Sequence, residues 1–186
     1  MDAKLNADVQ SSGGVATKSA NTESLHATGV YHVTCTGADG QIKWEDSIQN
    51  LVTTQGKNHL LETYFEGTTY SSTWYLGLVD GTTAPTFAAG DTAAQIGGSN
   101  GWVENDDYDE STRVAPNFNN ASAGSKATTA TAFSINATGT IAGCFLASVA
   151  TKNSTSGTLY SAGAFTGGDK IVADNDTLNV TYTASV

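Results

Sequence analysis

The only strong helix signal in this sequence lies within residues 44–67, WEDSIQNLVTTQGKNHLLETYFEG. Thr54 is placed to act as the N-cap, because its side-chain oxygen can accept a hydrogen bond from a free amide of the first turn. Gly67 stands where a helix favours a left-handed C-terminal residue. The apolar residues between them follow a spacing that puts them on one stripe of a helix: Leu60, Leu61, Tyr64 and Phe65.

A helix this short is not stable alone in water, because nucleation costs more free energy than so few hydrogen bonds return. Its apolar stripe must therefore lie on other parts of the chain, and nearly all of those favour strands. We therefore predict a helix near residues 54–66 that lies as a plug or lid on a β-sandwich.

The composition supports a β-rich body. Thr and Val favour pleated strands, Gly and Asn favour turns, and only 14% of the residues are charged. A chain of 186 residues fits one such domain. We predict an all-β fold with one short helix: an antiparallel β-sandwich, jelly-roll-like, over residues 27–186, with an extended N-terminal arm at residues 1–26.

Patterns of apolar and polar residues predict where the strands lie. Residues 29–36 and 41–45 indicate a hairpin around Asp39-Gly40. Residues 72–79 are almost wholly apolar, which is typical of a central strand covered on both faces. A long irregular loop is predicted at residues 80–120. The last third predicts a four-stranded meander at residues 126–136, 140–148, 158–165 and 176–186.

The first 25 residues are polar and, after Met1, contain four widely spaced larger apolar residues: Leu5, Val9, Val15 and Leu25. They follow neither a helical nor a strand period, so this segment cannot bury enough surface to order itself. One interpretation is a disordered tail. The other, which we favour, is an arm that orders against a neighbouring subunit and uses these four side chains as partner-binding anchors.

The formal charge of −10 argues against a nucleic-acid partner, because affinity for the phosphate backbone comes from Lys and Arg. It also argues against an anionic membrane surface, and no apolar run is long enough to cross a bilayer. The N-terminal residues lack the apolar core of a secretory signal. Cys35 and Cys144 lie in apolar, strand-like runs, so we expect buried free thiols rather than a disulfide.

No motif for catalysis, a cofactor or a metal is evident. The three histidines lack a nucleophile motif such as GxSxG, and the acidic residues 104–110, ENDDYDE, lack the ligand order of an EF-hand. We expect a solvated acidic loop, or one that faces a basic partner. The sequence thus favours a protein that is not an enzyme. A carbohydrate-binding or hydrolytic sandwich that uses Trp102 and this loop is a minor hypothesis.

Several phrases of the sequence resemble a family of tailed-bacteriophage virion proteins, and together they span most of residues 26–186. They are HATGVYHVTC (26–35), IKWEDSIQNLVTTQGKN (42–58), YLGLVDG (75–81), AAGDTAAQI (88–96), SAGSKATTATAFSI (122–135), TSGTLYSAGAFTGGDK (155–170) and DTLNVTYTASV (176–186).

The resemblance implies a non-enzymatic phage virion structural protein, a capsid decoration (cement) protein that stabilises the head by binding across capsid subunits. Its implied partners are the major capsid protein and other copies of itself in a symmetric assembly. Its implied location is the virion, assembled in the host cytoplasm. The alternative is a tail or neck component: an adaptor, a fibre or a receptor-binding module.

Overall fold

The computed structural model describes residues 26–66, 73–98 and 101–186. The anchors predicted in the arm (Leu5, Val9, Val15 and Leu25) and the predicted helix end at Gly67 lie outside the described residues. Within those ranges the chain is mostly β with one α-helix, and its strands form two antiparallel sheets. The predicted all-β sandwich with one short helix is confirmed. No helix there is long and apolar enough to span a membrane.

The first sheet contains β1 (Thr28–Thr36), β2 (Ile42–Gln49), β6 (Ser125–Ala127), β7 (Thr131–Ser134) and β11 (Thr177–Ser185). The second sheet contains β3 (Leu51–Val52), β4 (Tyr75–Asp80), β5 (Glu104–Asn105), β8 (Gly139–Ala147), β9 (Leu159–Ala164) and β10 (Lys170–Val172). The helix α1 (Thr54–Glu66) follows β3, and a short 3₁₀ helix (Ala93–Ile96) lies between β4 and β5.

The predicted hairpin is confirmed as β1 and β2, and Gly40 takes the positive φ of +76° that the turn requires. The strand order differs from the predicted meander. β11 lies in the first sheet, where it pairs with β1 along its whole length, whereas β8 and β9 pair with each other in the second sheet. The strand predicted at residues 126–136 divides into β6 and β7, both paired with β11. The division occurs at Thr128, whose hydroxyl accepts the Tyr182 amide proton in place of a backbone carbonyl.

The main core lies between the two sheets. In β1 and β11 the alternate residues are buried, as the period-two pattern predicts. From the first sheet Tyr31 and Val180 enter this core, and from the second sheet Leu78 and Cys144 meet them. Cys35 and Cys144 are buried free thiols, as expected. Burial raises the pKa of the Cys35 thiol to about 11 and raises that of Cys144 as well.

A second apolar cluster covers the outer face of the second sheet. Trp102 and Ile96, from the chain between β4 and β5, are buried with Phe145 of β8, and the rings of Trp102 and Phe145 lie 5.4 Å apart. The second sheet is therefore covered on both faces. This explains why β4 and β8 are nearly continuous apolar runs, and it confirms the prediction of a central strand at β4.

Candidate functional site

The first turn of α1 is fastened to β9 through Thr53. The Thr53 hydroxyl accepts a hydrogen bond from the Gly56 amide at 3.0 Å and donates to the Leu159 carbonyl at 2.5 Å. This is the geometry of an N-cap. The predicted N-cap at Thr54 is therefore wrong by one residue: Thr54 is exposed and is the first residue of the helix.

Gly56 lets the helix approach β9 closely. A Cβ atom at this position would lie 2.5 Å from the Tyr160 carbonyl oxygen, which is too close for any other residue without a shift of the backbone. The side chain of Gln55 adds a bond by accepting the Leu159 amide proton at 2.8 Å. These hydrogen bonds between α1 and β9 therefore all lie at the first turn of the helix.

Beyond that turn the predicted apolar stripe faces solvent. The exposed fractions are 40% for Leu60, 53% for Leu61, 83% for Tyr64 and 76% for Phe65. The prediction that this stripe packs on the sandwich as a plug or lid is wrong. For Leu61 and Phe65 the reason is geometric: the face that carries Gly56 turns toward the body, and these two residues lie on the opposite face of the helix. Leu60, four residues after Gly56, lies on the near face but is still 40% exposed.

An apolar groove lies between α1 and the adjacent end of the sandwich. Its larger pocket has a volume of about 660 Å³ and its smaller pocket about 280 Å³. Leu60 lines both pockets, so they are adjacent. We call the two pockets together the α1 groove. The walls of the larger pocket include Tyr64, Trp74, Phe118 and Tyr160.

The aromatic wall of the α1 groove is ordered by ring contacts. Trp74 meets the ring of His59 from α1 at 5.4 Å and the ring of Tyr160 from β9 at 5.5 Å, both edge-on. Burial raises the phenol pKa of Tyr160 and of Tyr182, which also lines the groove. Both phenols are therefore neutral around neutral pH, and this wall presents apolar surface without negative charge.

The cations at the α1 groove are Lys57 in the smaller pocket and Lys126 in the larger one. Lys126 donates to the Asn119 carbonyl, and neither lysine has a carboxylate within ion-pair distance among the described residues. Ion pairs are found elsewhere in the body: Lys43 with Asp176, Arg113 with Glu104, and Lys170 with Asp46. Among the described residues, the groove thus carries two lysines without an ion-pair partner, on a chain of net charge −10.

The predicted solvated acidic loop at residues 104–110 is confirmed only in part: Asp106, Asp107 and Asp109 are exposed, whereas the two glutamates are bonded to the body. Glu104 is buried and accepts two hydrogen bonds from Arg113, at 2.9 and 2.7 Å, and one from the Asn153 amide. Glu110 accepts from the amide and hydroxyl of Ser134. These two carboxylates hold the loop in place. In the part of the chain that the structure describes, no three His, Cys, Asp or Glu side chains group in a way that could hold a metal ion.

Trp102 is also buried, between Phe87 and Phe145, so it offers no exposed ring for a sugar. The hypothesis of a carbohydrate site at Trp102 is therefore wrong.

Sequence reasoning missed the α1 groove because its walls come from distant segments. Phe118 and Lys126 reach Trp74 and α1 only through the fold, and no local pattern connects them. One signal was available: Gly56 within a helical pattern costs stability and marks a close backbone approach. The four predicted arm anchors lie outside the described residues, so the structure neither places them together nor separates them.

The sequence was also compared with known proteins. No model of a known protein family matches this chain, and no curated protein matches it.

Proposed function

We propose that this chain is a non-enzymatic structural protein of a tailed-phage virion, a head decoration protein that binds across capsid subunits through α1 and the α1 groove. The observation that carries the proposal is the exposure of four large apolar side chains on a helix fastened to a compact body. The sequence phrases that resemble phage virion proteins support the assignment to a virion.

Exposed apolar side chains that form one surface mark sites of protein association. Each Leu-sized side chain that becomes fully buried contributes roughly 1.5–3 kcal/mol, before the cost of ordering. An amphipathic helix that meets an apolar surface is a common mode of protein recognition. In a symmetric shell many such contacts act together, so each can be weak. Under this proposal the partners are the major capsid protein and further copies of this chain, with no nucleic acid, membrane or cofactor involved.

A tail or neck component is the second candidate, because the same exposed helix could equally dock an adaptor, a fibre or a receptor-binding module. Immunogold labelling of purified particles, with antibodies raised against this protein, separates the two. Label over the whole head supports decoration, whereas label at one vertex or along the tail supports the second candidate. Particles that carry no label would rule out both.

A further inference from the structure

We propose that the α1 groove binds an acidic segment of a partner protein, one in which large apolar side chains are flanked by Asp or Glu. The inference rests on the proposed function and deepens it, because it states which chemistry the capsid partner presents to the groove. The observation that carries it is a lining that combines aromatic walls with two lysines and, among the described residues, includes no Asp or Glu.

The larger pocket determines the apolar part of this chemistry. Its volume of about 660 Å³ lies within the range of about 300–1,000 Å³ that is typical of ligand pockets. Trp74 and Phe118 belong to its wall, together with Tyr64 of α1, which is 83% exposed. Aromatic rings bury a large apolar area and pack well against other rings edge-on or with an offset. The pocket therefore suits the Phe, Tyr, Trp or Leu side chains of a partner.

The two lysines determine the polar part. Lys57 lines the smaller pocket and Lys126 the larger one, and neither forms an ion pair with a carboxylate of the described residues. Outside the groove, Lys43 and Lys170 are each paired with an aspartate. Glu62 is exposed on α1 but lines neither pocket. A partner carboxylate would thus supply the counter-charge that the described lining lacks.

One segment can reach both lysines. Leu60 lines both pockets, so they form a continuous surface along α1. The Thr63 hydroxyl oxygen is buried at the larger pocket and has no hydrogen-bond partner in the part of the chain that the structure describes. A buried polar atom without a partner costs free energy. A hydrogen bond from the backbone of a bound segment to this hydroxyl would remove that cost.

A second copy of this chain matches the groove less well. A two-fold contact places the same surface on both sides. Each lysine would then face a lining that offers, within the described ranges, no carboxylate. A partner of different sequence can present the acids that this surface lacks. Self-association through Tyr64 and Phe65 is therefore the competing outcome of the test.

The test measures the binding of three fluorescein-labelled peptides to the full-length protein by fluorescence anisotropy. The first peptide alternates Phe and Leu with Glu, the second has Lys in place of each Glu, and the third has Ser in place of each Phe and Leu. We expect the first to bind at least about tenfold more tightly than either of the others, because only the first matches both the apolar walls and the lysines. Equal affinity of the first peptide and either of the others would overturn the inference. The absence of binding of the first peptide at protein concentrations up to about 1 mM would do the same.

The double variant Lys57→Ala/Lys126→Ala shows whether the groove supplies the charge. We expect it to bind the first peptide about tenfold more weakly and with a smaller dependence on salt concentration. The matched control is Lys152→Ala/Lys170→Ala, which removes the same net charge at two lysines that do not line the groove. This control should retain the affinity, and circular dichroism checks that each variant is folded. An equal loss in both variants would mean that only net charge matters, which would overturn the inference.

Sedimentation velocity tests the competing occupant. We expect the wild-type protein and Tyr64→Ser/Phe65→Ser to sediment alike. A wild-type dimer that this variant dissociates would show that a second copy fills the groove, and would overturn the inference.

The labelling of particles tests the proposed function separately. Labelled heads without selective peptide binding would leave the proposed function standing and remove only the inference. Selective peptide binding without labelled particles would remove the proposed function and leave the preference of the groove for an acidic, apolar segment.

Discussion

Two regions of this protein differ in how firmly they are packed on the body, and the irregular one is packed more firmly. They are the segment of residues 81–124 between β4 and β6 and the helix α1. The first is irregular and polar, yet it is fastened by buried side chains. The second is a regular helix with large apolar residues, yet beyond its first turn these residues face solvent. The comparison teaches that regular hydrogen bonding and tertiary packing are separate properties of a segment.

The irregular region depends on a few strong anchors. Arg113 is fully buried, pairs with Glu104 through two hydrogen bonds and donates to the Val149 carbonyl at 2.9 Å. Its guanidinium also lies 5.0 Å from the centre of the Phe145 ring. These contacts join the loop to the second sheet, so this region belongs to the rigid body. By contrast, the hydrogen bonds that fasten α1 to β9 lie at its first turn, and Leu61, Tyr64 and Phe65 beyond it are exposed to a partner.

The largest effect is expected from Arg113→Met. Removal of one partner leaves the Glu104 carboxylate buried without its counter-charge, which costs about 3–5 kcal/mol in the free energy of unfolding. Urea denaturation followed by tryptophan fluorescence measures this loss. The control is Lys126→Met, which removes a surface cation without a carboxylate partner among the described residues and should change the value by less than about 0.5 kcal/mol. If the two variants were equally stable, the loop would not depend on this anchor.

Gly56→Ala tests the attachment of α1. The added methyl group would meet the Tyr160 carbonyl, and we expect a loss of about 1–3 kcal/mol in the free energy of unfolding. Helix propensity alone predicts the opposite sign, a gain of up to about 1 kcal/mol. Gly90→Ala is the matched control, because nothing lies within 4 Å of its added Cβ. A stabilised Gly56→Ala protein would show that the helix does not approach β9 closely.

Hydrogen exchange compares the two regions directly. The Arg113 amide donates to the Ala150 carbonyl and the Val114 amide donates to the Leu76 carbonyl, both beside the second sheet. We expect these amides to exchange at least about tenfold more slowly than the amides of Leu61 and Glu62, a difference of about 1.4 kcal/mol in opening free energy. Exchange followed by NMR resolves the individual amides. Faster exchange in the loop than in the helix would reverse the comparison.

The smallest effect on stability is expected from the double variant Tyr64→Ser/Phe65→Ser. Both side chains are exposed, so the free energy of unfolding should change by no more than about 0.5 kcal/mol per site. The same variant should lose most of its incorporation into particles, measured as the ratio of this protein to capsid protein in purified virions. Ile42→Ser/Ile171→Ser, at two other exposed sites, is the control and should be incorporated normally. Normal incorporation of the helix variant would exclude α1 as the docking site.

Patterns within single strands were enough to predict much of the sandwich. The alternation in β1 and β11 and the apolar run of β4 identify half-buried and fully buried strands, because these signals depend only on neighbours in sequence. The helix was also found within its correct bounds. The face of the helix that packs on the body was not predicted correctly. That face depends on the close approach of Gly56 to Tyr160, more than a hundred residues later in the sequence.

The anchors of the irregular region could not be predicted for a similar reason. Arg113 and Glu104 occur in a polar stretch without periodicity, and Asn153, which completes their hydrogen bonding, comes from another loop. Charged residues in such a stretch usually indicate solvent exposure. Only the fold shows that these two form a buried pair.

The antiparallel pairing of β1 with β11 has a practical consequence for anyone who labels this protein. Because Thr28 lies opposite Ser185, and Val186 lines the smaller pocket, a purification tag or fluorescent fusion attached after Val186 would sit at the mouth of the α1 groove and compete with whatever binds there. The turn at residues 37–40, at the other end of β1, is exposed and distant from the groove, so it is the better place for an inserted reporter.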